Sequence, residues 1–126
     1  MGGGWNSFDD IDFSALPDKF VLKMNNGSGM NYPVFDKSKM DTSEAKCLFD
    51  KWVKTEFCWY AFEMQYRRIK NMIFAEKFVE EMGGNLYDYK IQCFDGKPMW
   101  IECVGDRNLL KHTGYQRYFD LDWNRL

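Results

Sequence analysis

An Asp95-Gly96 pair stands between two strand-like runs, residues 87–94 and 97–104. A two-residue connection of this kind requires positive φ at both central positions, which Asp and Gly tolerate, and its twist matches antiparallel strands. The pair therefore commits the later part of the chain to a hairpin. The turn also sets a register, with Phe94 expected opposite Lys97 and Ile91 opposite Trp100. Strand alternation then puts Asp88 and Lys90 on one face, together with Ile101 and Cys103.

A second hairpin is expected near the start. Phe20-Val21-Leu22-Lys23-Met24 is a short, mostly apolar run, the pattern of a strand buried on both sides. Asn25-Asn26-Gly27-Ser28-Gly29 interrupts it. Residues 32–35 read as the returning strand, which puts the glycines at the tip. Asp41-Thr42-Ser43-Glu44 has the spacing of a capping box. After it, Ala45, Leu48, Phe49, Trp52 and Val53 recur at helical spacing, so a helix with an apolar core stripe is expected.

Residues 57–71 are aromatic and basic (Trp59, Tyr60, Phe62, Tyr66, Arg67, Arg68, Lys70), and no periodicity decides their structure. Residues 72–79 read as a buried strand, 80–85 as a loop and 115–121 as a further strand. Hairpins dominate, so the fold class is α+β with a mainly antiparallel sheet and packed helices. Residues 1–19 form a turn-rich, acidic lead-in, and residues 20–126 form the domain proper.

The 126 residues suffice for one domain with a real core, and 45% apolar and 18% aromatic content matches a folded chain. A formal net charge of −2, from 17 cations and 19 carboxylates, gives no general attraction to nucleic acid or anionic membranes. Any bound anion must be held by local groups. No apolar run approaches the roughly 18 residues of a membrane span. The opening Met1-Gly2-Gly3-Gly4-Trp5 lacks the basic and apolar regions of a signal peptide, and Asn6 stands where a myristoylation signal wants Ser or Thr. A cytoplasmic protein is expected.

Cys47, Cys58, Cys93 and Cys103 form no Cys-x-x-Cys pair, and His112 is the one histidine. That argues against zinc and for buried free thiols in a reducing cytosol. Hydrolase chemistry would need His112 as its base, and no nucleophile elbow is visible.

Three groups of residues carry possible chemistry. Lys23 lies inside an apolar strand, where an unpaired ammonium is costly. It must either reach water or meet an anion. Gly27 and Gly29 would let backbone N–H groups approach a phosphate, and Ser28 adds a hydroxyl. The lysine precedes the glycines, so this is not a P-loop. A plain hairpin turn with a surface lysine explains the same residues. Glu76 follows an apolar strand and either accepts from a ligand or marks the exit into solvent. Asp88, Lys90 and Arg107 offer a carboxylate for a ribose hydroxyl beside two cations for phosphates. Cross-strand ion pairing accounts for them equally well.

These residues together resemble a family. Phe20-Val21-Leu22-Lys23-Met24-Asn25-Asn26-Gly27-Ser28-Gly29 resembles the FVLK-x-N-H-G-S-G signature of the TupA-like ATP-grasp proteins, named after a teichuronopeptide biosynthesis protein. Trp5-Asn6-Ser7-Phe8-Asp9-Asp10-Ile11-Asp12-Phe13 with Leu16-Pro17 resembles the family's lead-in. Ile73-Phe74-Ala75-Glu76-Lys77-Phe78-Val79 is similar to its I-x-A-E-E-Y-L strand. Asp88-Tyr89-Lys90-Ile91 and Asp95-Gly96-Lys97 resemble its hairpin, and Asp106-Arg107 with Phe119-Asp120-Leu121-Asp122-Trp123-Asn124 completes the order.

The resemblance implies an ATP-grasp-like fold and an ATP-dependent carboxylate ligase that works through an acyl phosphate, in cell-surface polysaccharide assembly. Lys23 would contact the ATP phosphates, and Asn26, Gly27, Ser28 and Gly29 would form the loop closing over them. Glu76, Lys77, Phe78 and Val79 would be the hinge, pairing its backbone with the adenine edge while Phe78 walls the base. Asp88 would hold ribose hydroxyls, and Lys90 and Arg107 would face the phosphates or a saccharide or amino-acid acceptor.

Two departures stand out. Asn26 replaces the family's usual His. The late strands that hold Mg²⁺ in ATP-grasp enzymes follow the segment resembling residues 119–124, and the sequence ends at Leu126. The expectation is thus an incomplete ATP-grasp domain that binds ATP, draws its metal ligands from outside this chain and is inactive alone. Asp120 and Asp122 are read as exposed strand-end carboxylates. The competing reading is a non-catalytic module binding carbohydrate or nucleotide, given five tryptophans and seven tyrosines.

Overall fold

Phe20, Leu22 and Met24 share one side of a five-residue strand and are all buried, and the first half of the chain is built around them. The structure, a computed structural model, describes residues 4–79, 87–108 and 113–126, with the backbone alone for residues 60, 61, 106–108 and 113. The chain divides into two compact units, Met1–Phe78 and Val79–Leu126.

In the first unit, β1 (Phe20–Met24) pairs antiparallel with β2 (Asn31–Val34) and with β3 (Ile73–Lys77), in the order β2-β1-β3. Burial alternates along β1, so the expectation of a strand covered on both sides is corrected. The core fills one face of this sheet, and period-two alternation leaves Val21 and Lys23 half-buried on the other. Helix α1 (Thr42–Trp52) covers the core face. The Asp41 side chain accepts from the Glu44 amide at 2.9 Å and caps it. Ala45 and Phe49, four residues apart on one side, are fully buried, with Trp52 and Val53 packed beside them. The lead-in joins the same core through Phe8, Ile11 and Leu16, with the Phe8 and Phe49 ring centroids 5.9 Å apart. Trp5 bridges Ile73 on the outer edge of β3, each amide donating to the other's carbonyl at 2.8 Å. The region without periodicity forms α2 (Phe57–Ala61) and a 3-10 turn (Met64–Arg68).

The second unit is another antiparallel sheet, in the order β4-β5-β6: β4 (Asp88–Phe94), β5 (Lys97–Asn108) and β6 (Thr113–Phe119). The α+β class and antiparallel pairing stand, but the strands form two three-stranded sheets. Asp95 and Gly96 have φ of 50° and 72°, the paired left-handed conformations of a type I′ turn. Phe94 faces Lys97 as expected.

The register then shifts between Gln92 and Cys93, so Ile91 faces Ile101 and Gln92 faces Trp100. Met99 is the extra residue of a bulge beside Pro98, which has no N–H to give a regular ladder. The one-residue shift exchanges faces. Lys90 lies opposite Glu102 and Asp88 opposite Val104, whereas Ile101 and Cys103 share the opposite face with Ile91 and Tyr89. All four cysteines are free, but Cys47 and Cys93 are exposed, so only Cys58 and Cys103 fit the expectation of buried thiols. The expected loop at 80–85 lies outside the described residues. Among the described residues no helix is long and apolar enough to cross a membrane.

Candidate functional site

The half-buried face of the first sheet carries the lysine that the apolar strand left unexplained. Lys23 lies opposite Phe74, and Val21 lies opposite Glu76, so Lys23 and Glu76 are diagonal neighbours on one face. Their side chains form an ion pair, with 30% and 49% of each exposed. Lys23 thus meets an anion supplied by the chain itself. At this exposure the pair is worth about 0–1 kcal/mol, little enough for a stronger anion to displace the carboxylate.

Immediately after Lys23 the chain is pinned down. The Asn25 side chain donates to the Lys70 carbonyl at 2.9 Å and accepts from the Met72 amide at 2.8 Å. Asn26 turns inward and is 2% exposed, its Nδ2 donating to the Thr55 carbonyl at 3.2 Å. Its Oδ1 is buried without a partner. Gly27 presses on the Phe57 ring so closely that an added Cβ would stand 2.7 Å from it. Ser28 and Gly29 are exposed while Gly27 is half-buried, and Gly29 has φ of +76° with open space around it. The amides of Gly27, Ser28 and Gly29 have no acceptor among the described residues. The result is a short exposed tip with free donors on an anchored base, which is a geometry that suits an anion.

The strand after the helices provides an open edge. Ile73 directs both backbone polar groups outward to Trp5, so alternation points those of Ala75 and Lys77 outward as well. No strand pairs with them there among the described residues. Glu76 and Lys77 are exposed, and Phe78 sets its ring edge-on to Phe35 at 5.1 Å between centroids. Val79 is exposed.

The family model described as TupA-like ATPgrasp matches residues 2–126. The chain belongs to the TupA-like ATP-grasp family. No curated protein and no solved structure matches it. The ATP-grasp assignment rests on this family match, and with it the chain carries a ligase-type domain of that family.

Of the residues that the family resemblance singled out, Lys23, Asn26, Gly27, Ser28, Gly29, Glu76, Lys77 and Phe78 lie in the first unit, in β1, its loop and β3 with the residue after it. Lys23 and Glu76 are brought together. Asn26 is carried away from the exposed tip.

In the second unit Asp88 is half-buried at the start of β4. Lys90 pairs with Glu102 at 3.1 Å, which realises the cross-strand reading for that lysine. Arg107 belongs to β5, but its side chain lies outside the described residues. Glu102 was missed at the level of sequence. It is 8% exposed, and it also accepts from Gln116 at 3.1 Å. A lone carboxylate amid Ile101, Cys103 and Val104 was the available signal. Among the described residues no three His, Cys, Asp or Glu side chains form a group that could hold a metal. Asp120 instead ties a turn, accepting from the amides of Asp122 at 2.9 Å and Asn124 at 2.8 Å. These bonds, with that from the Asn124 side chain foremost, hold its pKa below the ordinary carboxylate value.

Proposed function

We propose that this chain grips ATP for an ATP-grasp carboxylate ligase of cell-surface polysaccharide assembly. In that chemistry a carboxylate oxygen attacks the γ-phosphorus and ADP leaves. An amine or similar nucleophile then attacks the acyl carbon, and inorganic phosphate leaves. The chain's part is to bind and orient the nucleotide. Lys23 neutralises the phosphates, exchanging Glu76 for the more highly charged group. Ser28 and Gly29 supply backbone N–H donors from the loop tip. Lys77 offers its outward N–H and C=O to the adenine edge, and Phe78 with Phe35 presents an apolar wall. ATP arrives with Mg²⁺ in this family. A cytoplasmic setting, where ATP is available, belongs to the same reading.

One observation carries the proposal: three amides without an acceptor among the described residues lie four to six residues after a lysine whose own counter-ion is exposed. Titration of the full chain with Mg-ATP, followed by backbone amide NMR shifts, tests it. The amides of residues 27–29 and 77 should move first, and Lys23→Ala should weaken binding by about tenfold, the worth of a lost charge-assisted contact. Silence at millimolar ATP in a folded sample overturns the reading, and unchanged affinity in Lys23→Ala removes that side chain from it.

A further inference from the structure

Each sheet has two outer strands, and the outer side of such a strand is a template for pairing with another chain. β2, β3 and β6 each carry a feature that blunts theirs. Pro33 in β2 has no N–H to offer, and Trp5 occupies β3 at Ile73. The closing segment folds back on β6, where Arg125 bridges Phe119 and the Leu126 amide donates to the Tyr118 carbonyl at 2.9 Å. β4 differs. It runs seven residues without proline, and among the described residues no strand or bridge covers its outer side. Its lysine does not guard that side, because Lys90 is drawn inward to Glu102 on β5. Ile91, at the midpoint of the strand, is 60% exposed although it lies beside the buried Ile101.

The turn fixes which backbone groups of β4 point outward. Phe94 and Lys97 flank a two-residue turn as a hydrogen-bonded pair, so Phe94 turns its polar groups toward β5. Cys93 lies opposite Pro98, which lacks an N–H, and directs its own groups outward. Alternation directs those of Ile91 outward as well.

We infer that β4 pairs antiparallel with β4 of a second copy of this chain, about a two-fold axis at Ile91. This register overlaps the whole strand. Ile91 meets Ile91 of the second copy and extends the apolar row that begins at Ile101, while Lys90 lies opposite Gln92. A one-residue slip would set outward backbone groups against inward ones. A two-residue slip shortens the overlap, and in one direction it sets Lys90 against Lys90. The second copy supplies the matching strand by symmetry alone, as a closed two-fold contact requires. The inference does not depend on nucleotide binding.

Sedimentation equilibrium and hydrogen exchange of the full chain test it, under reducing conditions that keep the exposed Cys47 and Cys93 from linking copies. The mass should rise from 15.1 kDa toward twice that value between micromolar and millimolar chain, the range of a small edge contact. The Ile91 and Cys93 amides should exchange about tenfold more slowly once about nine-tenths of the chains are paired. The Lys90 and Gln92 amides, which face β5, should keep their rates. Ile91→Lys places like charges on the axis and should weaken the pairing by about tenfold. A chain that stays monomeric at millimolar concentration overturns the inference. So does a dimer that Ile91→Lys leaves intact, or one in which the Ile91 and Cys93 amides exchange at an unchanged rate.

Discussion

Replacing Gly27 with alanine puts a methyl group where the Phe57 ring already stands. The new Cβ would lie 2.7 Å from Phe57 Cγ, 2.8 Å from Cδ2 and 3.2 Å from Cβ, all well inside van der Waals contact. The ring also packs against Tyr66 in an edge-to-face contact, with centroids 5.6 Å apart, and moving it disturbs that contact. Overpacking of this kind costs about 1–3 kcal/mol. The backbone of Gly27 is not left-handed, so the cost is steric alone. Gly29→Ala reverses the causes. Open space surrounds it, but its φ of +76° imposes about 1–2 kcal/mol on any L side chain. Urea unfolding of the single variants and of both in a Phe57→Ala background separates the two mechanisms. Gly27→Ala should lose most of its cost when the ring is gone, and Gly29→Ala should keep its cost unchanged. If Gly27→Ala is neutral in the wild type, or equally costly in both backgrounds, the anchored-loop geometry is wrong.

Three further outcomes follow from the geometry. Phe49→Ala empties the centre of the first unit's core, where the ring is fully buried, and should cost about 3–5 kcal/mol in urea unfolding. Tyr32 is pushed up from about 10 to about 12, by burial first and then by its hydrogen bond to Glu44. Because the folded value is the higher one, its contribution to stability is complete below pH 10 and is lost as pH rises through 12, which an ultraviolet phenolate titration checks. Asp120 is held low by Asn124 and the turn amides, so its contribution is present above the ordinary value of 3.8 and disappears as pH falls through the lowered one. A carboxyl-carbon NMR titration should find a midpoint below that of Asp120 in the Asn124→Ala variant.

Local chemistry sufficed for several elements. Asp41 three residues before Glu44, with an apolar stripe behind it, is a complete instruction for a helix start, and α1 begins there. Phe20 to Met24 forms the expected strand, and Asp95-Gly96 makes the expected turn, since left-handed φ at two successive positions depends on those residues alone. The family, too, was legible in the order of short motifs along the chain.

Register and partners were decided at longer range. The bulge at Met99 moved Lys90 away from Ile101 and Cys103 to Glu102, because one added residue reverses every side chain beyond it. Nothing in Phe20–Met24 names the anion that Lys23 meets; Glu76, 53 residues away, is supplied by the pairing of β1 with β3. Asn26 read as part of a loop reaching for phosphate, yet Thr55 and Phe57 draw the base of that loop inward and leave only its tip exposed. The sequence by itself determined turns, caps and strand periodicity, which depend on neighbours along the chain. The tertiary structure decided which charges pair and which polar atoms are buried, which depend on neighbours across it.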